Sequence, residues 1–220
     1  MMSYIKQHFL PLCLLLSIPL LNLIYEALNH GERGARQLIT TIDHSIPFLE
    51  IFVVPYMLWY AFIFIMLVIF CLFDRRIYYR TLLSFTTGML ICYTVYFFFQ
   101  TTVPRPEVIN EGILTSLVLY VYGADQPFNC FPSIHVLSSY LMIIAMRHSK
   151  LWTLKRDIAV SLISYSIILS TLFVKQHVVL DVIAGVLLGN LLFKLFYFLE
   201  PTMASAFLKR FSKNKKVTES

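Results

Sequence analysis

The sequence predicts an all-α integral membrane protein with six transmembrane helices and a short interfacial helix. Three observations carry that fold class. First, the 220 residues are 58% hydrophobic and 15% aromatic, with only 14% charged. Their mean hydropathy is +0.73, and a soluble domain of this length could not hide so much apolar surface. Second, six segments approach the roughly 20 apolar residues that a helix needs to cross a hydrocarbon core of ~30 Å. Third, lysine and arginine collect in alternate connections, as in a multi-pass chain.

The first segment, residues 8–25, resembles a signal peptide. It lacks a small-residue cleavage site, and Pro11, Pro19 and Glu26 break the expected pattern; the reading is an uncleaved helix. The second, 47–73, is interrupted only by Glu50, and the third, 81–99, carries no charge. The fourth, 133–146, is short unless it begins inside the membrane edge. The fifth, 158–174, is uncharged, and the sixth, 178–199, is polar only at Asp181, Asn190 and Lys194. Residues 1–200 thus read as one membrane domain and 201–220 as a basic tail. The loop 100–132 is longer than a connector requires. Within it, 112–122 is apolar but too short to span, which suggests an interfacial helix.

Charge sets the expected orientation. Arg75, Arg76 and Arg80 follow the second segment, and Arg147, Lys150, Lys155 and Arg156 follow the fourth. Lys209, Arg210, Lys213, Lys215 and Lys216 follow the sixth and supply most of the net +6. In a six-helix chain these regions share one side, which the positive-inside rule makes cytoplasmic, with both termini inside. The tail then faces anionic lipid, not nucleic acid. The opposite side holds 26–46, 100–132 and the turn 174–177; it is poorer in cations, although Arg33, Arg36, Arg105 and Lys175 lie there. Cys13, Cys71, Cys92 and Cys130 have no metal-ligand spacing and read as packing residues. The sequence leaves the oligomeric state open.

Polar residues at the outer ends of apolar helices are costly and usually face a site. His177 and Asp181 are four apart on an expected helix face, close enough for the carboxylate to fix the imidazole tautomer. Pro132 and Ser133 mark a helix start, whose free N–H groups suit an anion, with His135 in the first turn. Arg105 lies between Pro104 and Pro106, and Lys175 precedes His177 by two residues. Each of these alone fits packing, capping or headgroup anchoring. Together they supply a nucleophile with an orienting acid, a second histidine, a helix N-terminus and two cations. Those are the parts for phosphoryl transfer through a phosphohistidine.

The residues Arg105-Pro106, Pro132-Ser133-Ile134-His135 and Ser170…Lys175-Gln176-His177…Asp181 resemble the three-part signature of the type 2 phosphatidic acid phosphatase superfamily. The resemblance covers roughly residues 80–195. It implies a metal-independent, six-helix lipid phosphate phosphatase with an outward-facing site and no cofactor. His177 would be the nucleophile, Asp181 its orienting acid and His135 the general acid, while Arg105, Ser133 and Lys175 would bind phosphate. The chain departs from the pattern at Phe98, where the family has lysine, at Ile134 in place of glycine, and at Thr171 in place of arginine. Asn129-Cys130-Phe131-Pro132-Ser133-Ile134-His135 with Lys175-Gln176-His177 is more similar to the branch that includes inositol phosphorylceramide synthase. That likeness implies the alternative of headgroup transfer to an alcohol. A transporter would place charges at midspan, where the third and fifth segments have none. A metal held by His135, His177 and Asp181 would be repelled by Arg105 and Lys175.

Overall fold

In a computed structural model, residues 2–31, 34–109 and 112–218 are described, with side chains considered between His8 and Leu199. Arg33 and the five tail cations, named above, lie outside the described side chains. The helices are α1 (Met2–Cys13), α2 (Ser17–Leu28), α3 (Thr41–Ser45), α4 (Val53–Phe73), α5 (Arg75–Phe98), α6 (Ile113–Ala124), α7 (Ile134–His148), α8 (Leu154–Phe173) and α9 (Val179–Thr218). Two short strands, β1 (Arg36–Gln37) and β2 (Thr101–Thr102), pair in parallel. Five stretches are long and apolar enough to cross a membrane: His8–Leu28, Glu50–Phe73, Arg75–Phe98, Leu154–Phe173 and Val179–Leu199. The chain is a multi-pass, helical membrane protein.

The expected fourth span is α7, and it has only 15 residues, about 22 Å of helix. Its surroundings explain the shortness. Ten of its residues, among them Leu137, Leu141 and Met142, are buried, and it packs against α4, α5, α8 and α9. A helix surrounded by other helices need not match lipid thickness. The outer helices instead turn Leu58, Phe64, Leu90, Leu162, Leu187 and Leu191 outward, as an apolar solvent permits.

The first span is continuous but uneven. A 3-10 turn at Leu14–Leu16 separates α1 from α2. Pro19 lacks an N–H and crowds the carbonyl four residues back, which breaks the regular ladder there. The 74–80 stretch is not the loop expected from its arginines. Asp74 alone separates α4 from α5, and its carboxylate accepts the Ile77 N–H at 3.3 Å, an N-cap. Arg75, Arg76 and Arg80 are therefore helical, and Arg80 is buried with its guanidinium 4.6 Å from the Tyr197 ring. Apolar periodicity had hidden this start, because three arginines occupy the first two turns. Likewise Arg147 closes α7 while Lys155 and Arg156 open α8, which shortens the 147–157 connection. Asp74 also accepts from Ser149 Oγ and Lys150 N, both at 2.8 Å, and ties this end of the bundle together.

The other end carries the connections 29–52, 99–133 and 174–178. Buried Gln100 donates to the carbonyls of Leu28 and His30 and to Asn129 Oδ1. Thr101 Oγ1 accepts from Cys130 N and Phe131 N. These bonds fasten the end of α5 to the segment that leads into α7. The apolar stretch 112–122 is helical, as α6, with Val118 and Val121 packed near Val53, Tyr56 and Val174.

Candidate functional site

Ser133 is the N-cap of α7: its Oγ accepts the Val136 N–H at 3.3 Å, and its own N–H donates to Asp181 O at 3.3 Å. Its backbone also meets α9 at Gly185. A Cβ there would lie 2.8 Å from Ser133 O, so only glycine lets the two helices approach this closely. Tyr96 donates to Pro132 O at 2.6 Å and fixes the preceding residue. His135 is the second residue of α7, within its first turn. Its ring stacks on Tyr56 at 4.7 Å and tilts against Trp59 at 4.0 Å. Trp59 Nε1 in turn donates to Ser138 Oγ at 2.7 Å. The two aromatic neighbours hold the imidazole in one plane.

His177 and Asp181 meet, but not along a helix face. α9 begins at Val179, so His177 lies in the turn before it. Asp181 reaches back from the first helical turn, where Oδ2 accepts Val178 N at 3.0 Å and lies 3.3 Å from His177 Nδ1. This is the return arm of a capping box, which uses an acidic side chain near the helix start to satisfy a free N–H. One carboxylate thus caps α9 and orients the imidazole. Asp181 is fully buried, and its Oδ1 has no hydrogen-bond partner. With Nδ1 directed at Asp181, Nε2 is the ring nitrogen outside that contact. The His135 and His177 rings lie edge to face, 5.7 Å between centroids.

The turn before α9 is held by the carbonyl of Thr171, which accepts from both Gln176 N and His177 N. Lys175 takes a left-handed conformation, φ +54°, a strain of roughly 1–2 kcal/mol for a non-glycine residue. Its Nζ donates to Ile46 O at 2.6 Å and lies 3.4 Å from Asp43 O. Arg105 donates to Tyr122 O at 3.0 Å, to Asp125 O at 2.7 Å and to Gln176 Oε1, with its guanidinium 4.3 Å from the Tyr122 ring. Arg105, Lys175 and His177 line one cleft of about 450 Å³, together with Asp43, His44 and Val178. Neither cation forms an ion pair among the described residues. Backbone carbonyls and Gln176 Oε1 accept from the two cations, Arg105 Nε is left buried without a partner, and the Asp43 carboxylate feels the charge of Lys175 without pairing with it; cations held this way suit an anion.

All six sequence-derived residues therefore gather at one end of the bundle. His177, Lys175 and Arg105 face the cleft directly, His135 lies behind His177, and Asp181 and Ser133 are buried supports. Five contributors escaped the sequence reading. Gln176 joins Arg105 to the His177 turn; its place within the motif was the available signal. Tyr56 and Trp59 come from α4, whose apolar run gave none. Asp125 accepts from Tyr25 at 2.6 Å, Asn29 at 2.9 Å and Tyr56 at 3.3 Å, so it secures both Tyr56 and the carbonyl that holds Arg105. Asp43 caps α9 from outside, accepting Val179 N at 2.8 Å. Phe98, at the absent lysine position, is 80% exposed at the end of α5, and Thr171 is buried. Cys130, read as a packing residue, is buried but lies beside His177 and Asp181.

No curated protein and no solved structure is matched by this chain. The chain does match the PAP2 superfamily over residues 80–203, more than half of its 220 residues, and all six candidate residues lie inside that stretch. On that match the chain belongs to the PAP2 superfamily, the type 2 phosphatidic acid phosphatases, whose members are generally phosphatases.

Proposed function

We propose that the protein is a membrane lipid phosphate phosphatase that works through a phosphohistidine at the outer face of the membrane. The observation that carries the reading is one cleft lined by His177, Arg105 and Lys175, with His177 backed by Asp181 on one side and His135 on the other. A phosphate monoester or diphosphate of a lipid enters with its anionic oxygens toward Arg105 and Lys175, and the α7 start at Ser133 adds N–H dipoles. His177 Nε2 attacks phosphorus, the P–O bond to the lipid breaks, and His135 gives its proton to the departing oxygen. Water then attacks the phosphohistidine and loses a proton to His135. The P–N bond breaks, phosphate leaves, and both histidines return to their starting states. Asp181 stabilises the positive imidazole formed on attack. No metal or cofactor enters these steps.

In this reading six helices span, with α7 as the short fourth, and α6 lies along the outer interface beside the cleft. Residues 1–200 form the single membrane domain, both termini are cytoplasmic, and the 201–220 tail meets anionic lipid. The alternative acceptor is an alcohol, which would make the enzyme a lipid phosphotransferase. Its support is the likeness around Asn129-Cys130-Phe131 and Lys175-Gln176-His177, together with the uncharged Phe98 and Thr171. Purified protein given a phosphate-labelled lipid and a set of alcohols separates the two. Release of inorganic phosphate without new lipid is the expected result. A new labelled lipid would replace hydrolysis with transfer, and neither product across several lipid classes would overturn both.

A further inference from the structure

The loop before α7 carries Cys130, and the turn before α9 carries His177. The fold brings one ligand atom from each of Cys130, His177 and Asp181 within 4.8 Å of one another. All three residues are buried, at 3%, 8% and 0% exposure. Two ligands of one tetrahedral zinc stand about 3.3–3.8 Å apart, given metal–ligand bonds of about 2.0–2.3 Å. The 3.3 Å separation of His177 Nδ1 and Asp181 Oδ2 already meets that span. The thiol is restrained by Sγ to Pro127 O at 3.7 Å and by a bond with the Thr101 side chain, and a move of about 1 Å would complete the set.

A second observation is independent of the cysteine. Asp181 Oδ1 is buried without a hydrogen-bond partner, in a residue with no exposed surface. Leaving such an acceptor unmet costs about 1–3 kcal/mol, and a cation held by both oxygens of the carboxylate would remove that cost. We infer that Cys130, His177 and Asp181 form an inhibitory site for a borderline-soft divalent cation such as zinc or cadmium. The cation enters through the cleft that His177 lines. Thiolate and carboxylate together balance its two positive charges, and the imidazole supplies a neutral third ligand. Binding releases the thiol proton to solvent. It also removes the Asp181–His177 contact, so the same residues cannot hold the metal and orient the nucleophile at once. Arg105 and Lys175, fixed on carbonyls, oppose entry and set the affinity below that of a structural zinc site.

The inhibitory effect rests on the proposed enzymatic reading, but the metal binding does not, and the test measures metal without substrate. Detergent-solubilised full chain is titrated with cadmium ion while the thiolate-to-cadmium ultraviolet band and released protons are recorded. The expected result is one cadmium and about one proton per chain, with the band present. C130S should lose the band, and D181N should keep it with affinity at least tenfold weaker. A combined C13A/C71A/C92A protein should bind as the unaltered chain does. It keeps Cys130, so it decides the matter even where C130S folds poorly. Loss of the band in that triple variant, or an unchanged band in C130S, overturns the site.

Discussion

Replacing Asp181 with asparagine removes a charge while changing almost no volume. The carboxylate Oδ2 accepts from Val178 N at 3.0 Å and faces His177 Nδ1 at 3.3 Å. An amide oxygen in the same place still caps α9 and still accepts the Nδ1 proton, so the fold and tautomer survive. What is lost is the charged part of the hydrogen bond, which in the proposed reaction matters most when His177 becomes positive during attack on phosphorus. Hydrogen bonds to charged groups contribute about 1.5–3 kcal/mol against about 1 kcal/mol for neutral ones. If that difference of about 0.5–2 kcal/mol is realised only in the transition state, kcat falls by about 2- to 30-fold. KM should change little, because the proposed mechanism gives ground-state phosphate binding to Arg105 and Lys175. The assay is steady-state release of phosphate from a lipid phosphate in mixed micelles, paired with rapid-quench trapping of labelled phosphoenzyme. The formation rate of phosphoenzyme should drop in step with kcat. D181N with kcat within twofold of the unaltered protein, at an unchanged phosphorylation rate, would refute the assignment of Asp181 as the orienting acid.

Other outcomes follow from the same geometry. H177A should show neither turnover nor trapped phosphoenzyme, while H135A should still form phosphoenzyme from an aryl phosphate whose leaving group needs no proton, as acid-stable and acid-labile label would report. R105K should lower kcat/KM about tenfold or more, since an ammonium cannot reproduce the paired bonds to Tyr122 O and Asp125 O or the stacking on Tyr122; a kinetic comparison of the two proteins checks this. G185A should lower the melting temperature, at a cost of about 1–3 kcal/mol, because its Cβ would press on Ser133 O. Burial pushes the Asp43 carboxyl up, but bonds from Thr40 and Val179 N and the charge of Lys175 outweigh it and hold it below its ordinary value of 3.8. A lowered folded value means this stabilisation is complete above pH 3.8 and disappears as pH falls through the folded value. D43N should therefore show a shallower loss of melting temperature with acid in that window.

The helices were legible because lipid leaves little choice. A chain whose backbone must satisfy itself in hydrocarbon writes each span as an apolar run. The start of α5 was not, since three arginines interrupt its apolar pattern and only Asp74 marks the cap. The candidate site was legible through combination: His135, His177, Asp181, Arg105 and Lys175 each have a plain reason to stand at the membrane edge, and only their convergence on one face pointed to a site. Gln176, Asp125 and Asp43 gave weaker signals, because polar residues are ordinary in long loops. Tyr56 and Trp59 gave no signal, because aromatic residues are ordinary in spans.

By itself the sequence determined the solvent, the helical class and the chemical types available for the reaction, since hydrophobic length and residue chemistry are local properties. The tertiary structure decided which of those residues meet. It put His177 ahead of α9 instead of on it, with Asp181 capping the helix and orienting the ring through one oxygen. It made α7 short by enclosing it among other helices, and it brought Cys130 to His177 from 47 residues away in the chain. Such contacts depend on how helix ends are joined and packed, and no local pattern in the chain encodes the distance between two of them.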